Sequence, residues 1–197
     1  PPELTKNLTA SVDEGDTLHF SNTFLEAADV ESPDSDLRFI VDPLEGEWLP
    51  AHGTLALGSG YLSALDTFTM AQILSDTLLY IHDGSETVID SIPLMLTDGD
   101  GARYTLDGTI GGDTVFYCLL EITPVDDPPV VEIMTGGTVD EEDTLLISDA
   151  MLHTTDPESD PARITYTIDP AGSSDYPLNG LLKLNGIPLS DGGTFTQ

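Results

Sequence analysis

Two copies of one sequence pattern occur in this chain, and this duplication constrains the possible folds more than any other feature. Residues 12–18 recur as residues 139–145, at an offset of 139 − 12 = 127. The offset continues without a gap to residue 197, and about 22 of the 59 aligned pairs are identical. We therefore predict a tandem array, with a complete repeat at residues 3–125, a proline-rich linker at 126–130 and the N-terminal part of a second repeat at 131–197.

The second copy reaches only the counterpart of Met70, so it lacks the stretch that matches residues 71–130 of the first copy. A sheet module needs its partner strands to bury an apolar face and to offset the entropy of ordering the chain. We therefore expect the second copy to be poorly ordered unless other strands complete it.

The hydrophobic pattern predicts strands through most of the chain. Short segments rich in β-branched and aromatic residues alternate with clusters of Gly, Pro, Asp and Ser, which favour turns. The strand-like segments are residues 17–20, 37–41, 54–57, 78–82, 91–96 and 114–122. Residues 24–28 and 71–74 are candidates for single helical turns. This spacing predicts an all-β fold of tandem repeats, with one antiparallel β-sandwich per repeat.

The charge balance limits the possible partners. The chain has 36 Asp and Glu residues against 5 Lys and Arg residues, a formal net charge of −31. Such a surface repels the phosphates of nucleic acids and of anionic lipids, so cations are the expected partners. No apolar run approaches the roughly 20 residues that span a bilayer, which argues against direct membrane insertion.

Side-chain groupings typical of enzymes are missing from the sequence. The four histidines lack a metal-binding helical spacing, and there is no glycine-flanked nucleophile or phosphate-binding glycine loop. The single cysteine, Cys118, lies in an apolar run and is expected to be a small buried side chain. We predict that the chain is not an enzyme.

Acidic pairs in predicted turns are the strongest chemical feature. Hard cations such as Ca²⁺ take about six to eight oxygen ligands from carboxylates, carbonyls and waters. Taken singly, each pair is more typical of a solvated turn than of an ion site, because Asp hydrogen-bonds its own backbone there. A salt-adapted acidic surface without specific ion sites is a further alternative. Such pairs include Asp83/Glu86, Asp126/Asp127 and Asp156/Glu158, with Asp29/Glu31 at the equivalent place in the first copy.

Several segments together resemble a known family. They are residues 80–86, residues 90–99, the strand and linker at 122–129, and the turns at 52–55 and 179–182. This set is similar to the cadherin-like repeat of the chondroitin-sulfate-proteoglycan type, which occurs in extracellular matrix proteins and in large bacterial surface adhesins. The resemblance implies a cadherin/Ig-like sandwich and covers the first copy and the available part of the second.

The resemblance also implies a Ca²⁺ site at the junction between repeats, because cadherins hold Ca²⁺ between successive domains. The sequence departs from the cadherin pattern, since no asparagine separates the two linker acids and Glu158 replaces an aspartate. Fewer than three ions per junction, or none, is therefore an open alternative. The implied ligands are Glu14, Asp83, Glu86, Asp126, Asp127, Asp156 and Glu158.

The sequence and the resemblance together predict a structural, adhesive function. We expect a Ca²⁺-stiffened spacer in a cell-surface adhesin or matrix protein, located outside the cell or at its surface. Its expected partners are neighbouring repeats of the same protein, with other protein chains or cell-surface ligands as further candidates. The alternative is a self-assembling filament or surface-layer subunit, in which strands of another chain complete the second repeat.

Overall fold

The computed structural model describes residues 1–43, 50–99, 114–168 and 179–197. The contacts within the chain divide it into two units, Pro1–Val125 and Asp126–Gln197. The first unit contains one short helix, α1 (Met70–Leu74), among its described residues. Its strands are β1 (Glu3–Asn7), β2 (Ala10–Asp13), β3 (Thr17–His19), β4 (Leu25–Ala28), β5 (Arg38–Val41), β6 (Gly53–Leu57), β7 (Gly60–Tyr61), β8 (Thr67–Thr69), β9 (Leu78–His82), β10 (Ile89–Thr97) and β11 (Phe116–Thr123).

Among its described residues, the first unit forms two larger sheets and one separate strand pair. A five-stranded sheet has the order β2-β11-β10-β5-β8, a four-stranded sheet has the order β3-β9-β6-β7, and β1 pairs separately with β4. The strands β2 and β11 run parallel, and the other described pairs of this unit are antiparallel. The prediction of an all-β sandwich is confirmed.

Alternating side chains build the core between the two sheets. Along β11, Phe116, Cys118, Leu120 and Ile122 point inward and the residues between them are exposed. Full burial of one such large apolar side chain contributes about 1.5–3 kcal/mol to stability. The largest fully buried side chains include Tyr80, Phe20, Phe39, Phe68, Leu55 and Leu94, so both sheets contribute to one core.

The two candidate helical turns have different outcomes. Residues 71–74 do lie in α1, where the Thr69 hydroxyl accepts the Gln72 N–H at 3.2 Å and Oε1 of Gln72 accepts the Thr69 N–H in return. For residues 24–28 the prediction was wrong, because Leu25 and Ala27 alternate with outward neighbours and form β4. Pairing with β1 and burial of two inward side chains outweigh the weak helical propensity of this segment.

The second unit repeats part of this architecture at the same offset of 127 residues. The bulge between Leu4 and Lys6 in the β1–β4 pair recurs between Val131 and Ile133. A 3₁₀ turn, Pro161–Arg163, precedes the third strand of the unit. The strands are β12 (Val130–Met134), β13 (Leu152–Thr155), β14 (Thr165–Thr167), β15 (Lys183–Leu184), β16 (Ile187–Pro188) and β17 (Thr194–Thr196).

A strand pair of the first unit recurs in the second unit only when the sequence segments that match both of its strands are present there. The pairs β12–β13, β14–β17 and β15–β16 correspond to β1–β4, β5–β8 and β6–β7. The counterparts of β2 and β3, residues 137–140 and 144–146, are described but form no strand. In the first unit β2 pairs with β11 and β3 pairs with β9, so these two strands depend on partners from the later half of the repeat.

Candidate metal centre

Glu14 lies in the loop between β2 and β3, beside the end of β11. Its backbone N–H donates to the carbonyl oxygen of Thr123 at 2.9 Å, which extends the β2–β11 ladder by one residue. One side-chain oxygen, Oε2, accepts the backbone N–H of Val125 at 3.3 Å. Glu14 is therefore fixed at the last residue of the first unit.

The other carboxylate oxygen of Glu14, Oε1, is buried and has no hydrogen-bond partner among the described residues. A carboxylate oxygen of Glu86 lies within 4.8 Å of a carboxylate oxygen of Glu14. Burying an unpaired carboxylate oxygen costs free energy. Two like charges about 4 Å apart also repel each other, by about 1 kcal/mol in water and about 4 kcal/mol at an effective dielectric constant of about 20. A cation bound by these oxygens would relieve both costs, so the residues fit a hard metal ion.

Asp83 has a local role in the same loop as Glu86. Its Oδ1 accepts the backbone N–H of Ser85 at 2.9 Å, and the side chain is exposed. Hydrogen bonds from the Ser85 hydroxyl and backbone hold the pKa of the Asp83 carboxyl below its ordinary value. Among the described residues, the close carboxylate pair of Glu14 and Glu86 does not include Asp83.

The remaining predicted ligands belong to the second unit. Asp126 and Asp127 are exposed, and the backbone N–H of Asp127 donates to Oε2 of Glu158 at 3.3 Å. Oδ1 of Asp156 accepts the N–H of Ser159 at 2.9 Å, which closes its own turn. The structure therefore brings Glu158 to the linker backbone, whereas Asp156 has a turn-forming partner.

A buried hydrogen-bond network around the Asp90 carboxylate joins the residues just before β6 to Tyr80 of β9. Asp90 is 6% exposed and accepts the backbone N–H groups of Ala51 and His52 at 3.0 and 3.1 Å, together with the Tyr80 hydroxyl at 2.8 Å. Burial and the hydrogen bond to Asp90 raise the pKa of Tyr80 above its ordinary range. A Cβ at Gly53 would lie 2.4 Å from two ring atoms of Tyr80, so this position requires glycine.

The sequence pattern does not identify Asp90, Tyr80 or His82 as buried polar residues that need hydrogen-bond partners. Strand β9 places Leu78, Tyr80 and His82 on its buried face. A histidine at an inward position of an alternating strand is the signal that could have identified it, because a buried polar side chain needs hydrogen-bond partners. The partners of Asp90 lie 10 and 38–39 residues away in the sequence, and no local pattern indicates them.

A sandwich of this topology, with acidic side chains gathered where the chain leaves it, is a repeat module of the cadherin-like class. A sequence model of the cadherin-like family matches residues 2–109, which is more than half of the chain. The chain therefore belongs to this family, and the resemblance found in the sequence is confirmed.

Similar proteins come from the extracellular matrix and from a proteoglycan. Human FRAS1-related extracellular matrix protein 2 is 32% identical over 79% of this chain. Extracellular matrix protein 3 of Lytechinus variegatus is 34% identical over 94% of the chain, and human chondroitin sulfate proteoglycan 4 is 30% identical over 75%. The matched regions span 4%, 6% and 6% of these three relatives, respectively.

These similarities support an extracellular structural or adhesive role, and the prediction of an extracellular or cell-surface location is confirmed. Two of these relatives are extracellular matrix proteins by name, which favours a role other than catalysis. Within the described ranges, no helix has the length and hydropathy that crossing a membrane requires.

Proposed function

We propose that this chain is a spacer segment of an extracellular adhesive or matrix protein, and that Ca²⁺ bound at the junction of its repeats stiffens the joint. The proposed ligands are those implied by the sequence, with Glu14 and Glu86 at their centre. The observation that carries the proposal is the buried Oε1 of Glu14, which has no hydrogen-bond partner among the described residues.

The chain path supports this assignment. Oε2 of Glu14 accepts the N–H of Val125. Its carboxylate is therefore held at the residue that directly precedes the linker acids Asp126 and Asp127. Glu158 in turn accepts the Asp127 N–H. Ca²⁺ tolerates irregular sets of six to eight oxygens, and carbonyls or waters can add to carboxylates. A chain segment with these acids therefore offers a suitable donor set for Ca²⁺.

The net charge favours cation binding, and a ligand in the linker gives that binding a mechanical consequence. At −31 the folded chain repels itself, and a divalent cation removes this repulsion where acids converge. A ligand contributed by the linker restricts the linker when the ion binds, so a bound ion stiffens the connection between repeats. Asp83, Asp126 and Asp156 would contribute as additional ligands or as charges near the ion.

Calorimetry and thermal unfolding of the metal-free chain test this proposal. Saturation at 100-fold the Kd stabilises the native state by about 2.7 kcal/mol, which raises Tm on the order of 10 °C for a domain of this size. NaCl at equal ionic strength should give a much smaller increase, since it only screens charge. Equal effects of NaCl and CaCl2, together with no heat of Ca²⁺ binding, would refute the specific site.

The duplicated sequence provides a matched control for the site. Glu141 is the counterpart of Glu14, but it is exposed and belongs to a segment that forms no strand. Glu14→Gln should weaken Ca²⁺ binding at least tenfold, whereas Glu141→Gln removes the same charge and should change Kd less than about twofold. An equal loss of affinity in the two variants would mean that total charge, and not the Glu14 site, controls binding.

A second candidate function is self-assembly through the second unit. Ile147 is 47% exposed, whereas its counterpart Phe20 is fully buried beneath the strands of a complete sandwich. The strand β14 pairs with β17 on one side, and no described strand of the unit takes the place that β10 has beside β5. Exposed apolar residues and an unpaired strand edge are both typical of surfaces that recruit strands from another chain.

Sedimentation velocity in EDTA over a wide concentration range tests self-assembly without cation bridging. Assembly predicts oligomers that Ile147→Asp dissociates, because a charge on the open face opposes burial. Leu119→Asp is the matched control, since Leu119 is 42% exposed on the outer face of the complete sandwich. A monomer at every concentration would contradict this candidate.

A further inference from the structure

His82 is a buried histidine at the end of β9, directly opposite Gly53 of β6 in the four-stranded sheet. Its side chain is completely inaccessible, with 0% exposure. It lies on the buried face of β9 together with Leu78 and Tyr80. Its role must therefore come from the hydrogen bonds of its ring, since an unpaired buried polar group is costly.

Both ring nitrogens of His82 are hydrogen-bonded. Nδ1 accepts the backbone N–H of Gly15 at 3.0 Å and that of Gly84 at 3.2 Å. Because two N–H groups point at Nδ1, that nitrogen carries no proton and the ring is the Nε2–H tautomer. Nε2 lies 3.2 Å from Oγ1 of Thr87, to which it donates, and 4.0 Å from the Asp83 carboxylate.

These contacts link the two loops that carry the close carboxylate pair. Gly15 directly follows Glu14, while Gly84 and Thr87 flank Glu86 in the loop between β9 and β10. Gly15 and Gly84 have φ values of +69° and +78°, which glycine adopts readily. One imidazole therefore fixes the backbone on both sides of the gap between the two carboxylates.

We propose that His82 is a positioning residue for cation binding, which sets the separation of Glu14 and Glu86 by tying their loops to Nδ1. This inference rests on the Ca²⁺ site proposed above. His82 does not contact the ion itself, because its Nδ1 is occupied by two backbone donors. Residues that orient metal ligands in this way typically change metal affinity by about 10- to 100-fold when they are replaced.

Two substitutions separate positioning from general packing. In His82→Asn the amide oxygen lies near the place of Nδ1 and can accept both glycine N–H groups. In His82→Gln the acceptor lies near the place of Nε2, so Gly15 and Gly84 lose their partner. We expect the Ca²⁺ Kd of His82→Asn to stay within about threefold of that of the wild type, and that of His82→Gln to rise at least about tenfold.

The free energy of unfolding in EDTA is measured for the same variants. A merely structural role of His82 would lower stability without a difference between the Ca²⁺ Kd values of His82→Asn and His82→Gln. Equal Kd values for wild type and His82→Gln would overturn the inference while leaving the Ca²⁺ site intact. Absence of Ca²⁺ binding by the wild type would refute the site and the positioning role together. Thr87→Val, which removes only the Nε2 contact, should leave Kd within about threefold and serves as the control.

A measurement on the wild type covers the case in which His82→Gln does not fold. Nitrogen-15 NMR of the ring should show the proton on Nε2, and hydrogen exchange should show protected amides at Gly15 and Gly84. A proton on Nδ1, or exchange at both glycines as fast as in exposed loops, would overturn the positioning role.

Discussion

Replacement of Gly53 by alanine should destabilise the first unit strongly. The new Cβ would lie 2.4 Å from Cε2 and Cζ of Tyr80 and 2.6 Å from its hydroxyl oxygen. The Tyr80 ring is fully buried, and its hydroxyl donates to Asp90 at 2.8 Å, so the ring cannot move aside without losing that bond. The substitution therefore combines steric overlap with the loss of a charged hydrogen bond.

The magnitude follows from these two effects. Overpacking of a tight core costs about 1–3 kcal/mol. Loss of a buried hydrogen bond to a charged acceptor costs about 1.5–3 kcal/mol. Alanine also reduces the entropy of the unfolded chain, which stabilises the native state by about 0.4–1 kcal/mol. The net destabilisation is expected to be about 2–5 kcal/mol, which lowers the urea midpoint by about 1–2.5 M for a slope of about 2 kcal/mol/M.

Cys118 provides a selective assay for this unit. It is the single cysteine and is fully buried, and burial raises its pKa to about 12. Its reaction with a thiol reagent across a urea series therefore reports opening of the first unit. Gly180→Ala is the matched control, because a Cβ added at this counterpart of Gly53 would have no atom within 4 Å. Equal midpoints for both variants and the wild type would refute the steric argument.

Three further predictions concern side chains of the first unit, one of them in comparison with its counterpart in the second unit. Phe68→Ala should cost the first unit about 3–5 kcal/mol, whereas Phe195→Ala, at the half-buried counterpart, should cost clearly less in calorimetric unfolding. The ion pair with Lys6 at 3.0 Å lowers the pKa of Glu26, so its contribution is present above the ordinary carboxyl pKa and is lost as the pH falls through the lowered one. NMR titration of Lys6→Met should show a higher Glu26 pKa with little change in stability, and an unchanged pKa would contradict this pairing. In native protein at pH 8, Cys118 should not react with Ellman's reagent, and rapid complete reaction would show that the core is open.

The sequence predicted the strands of the sandwich well because their alternation and their turn residues are local features. Strands β5, β9, β10 and β11 lie close to the predicted segments for this reason. The error at residues 24–28 has a different origin, since pairing with β1 decides the structure of a segment that has no strong preference of its own. Long-range pairing is invisible to a local pattern.

The candidate site was predictable only as a set of acidic turns. The close approach of Glu14 and Glu86 depends on loops from two strands that are 72 residues apart in sequence, since 86 − 14 = 72. The local roles of Asp83 and Asp156 follow the alternative interpretation of these pairs, in which Asp closes its own turn. The buried Oε1 of Glu14, which has no hydrogen-bond partner among the described residues, could be seen only in three dimensions.

Comparison of the two units shows why cation binding at Glu14 should depend on a complete repeat. Residues 137–140 keep the sequence pattern of β2 but form no strand, because β2 needs β11 beside it. Glu141 consequently lacks the ladder that fixes Glu14 between Thr123 and Val125. The later strands of a repeat thus close its core and also place the acids at its exit. If a cation binds at Glu14 as proposed, folding of one repeat and stiffening of its connection to the next are coupled through the same strand, β11.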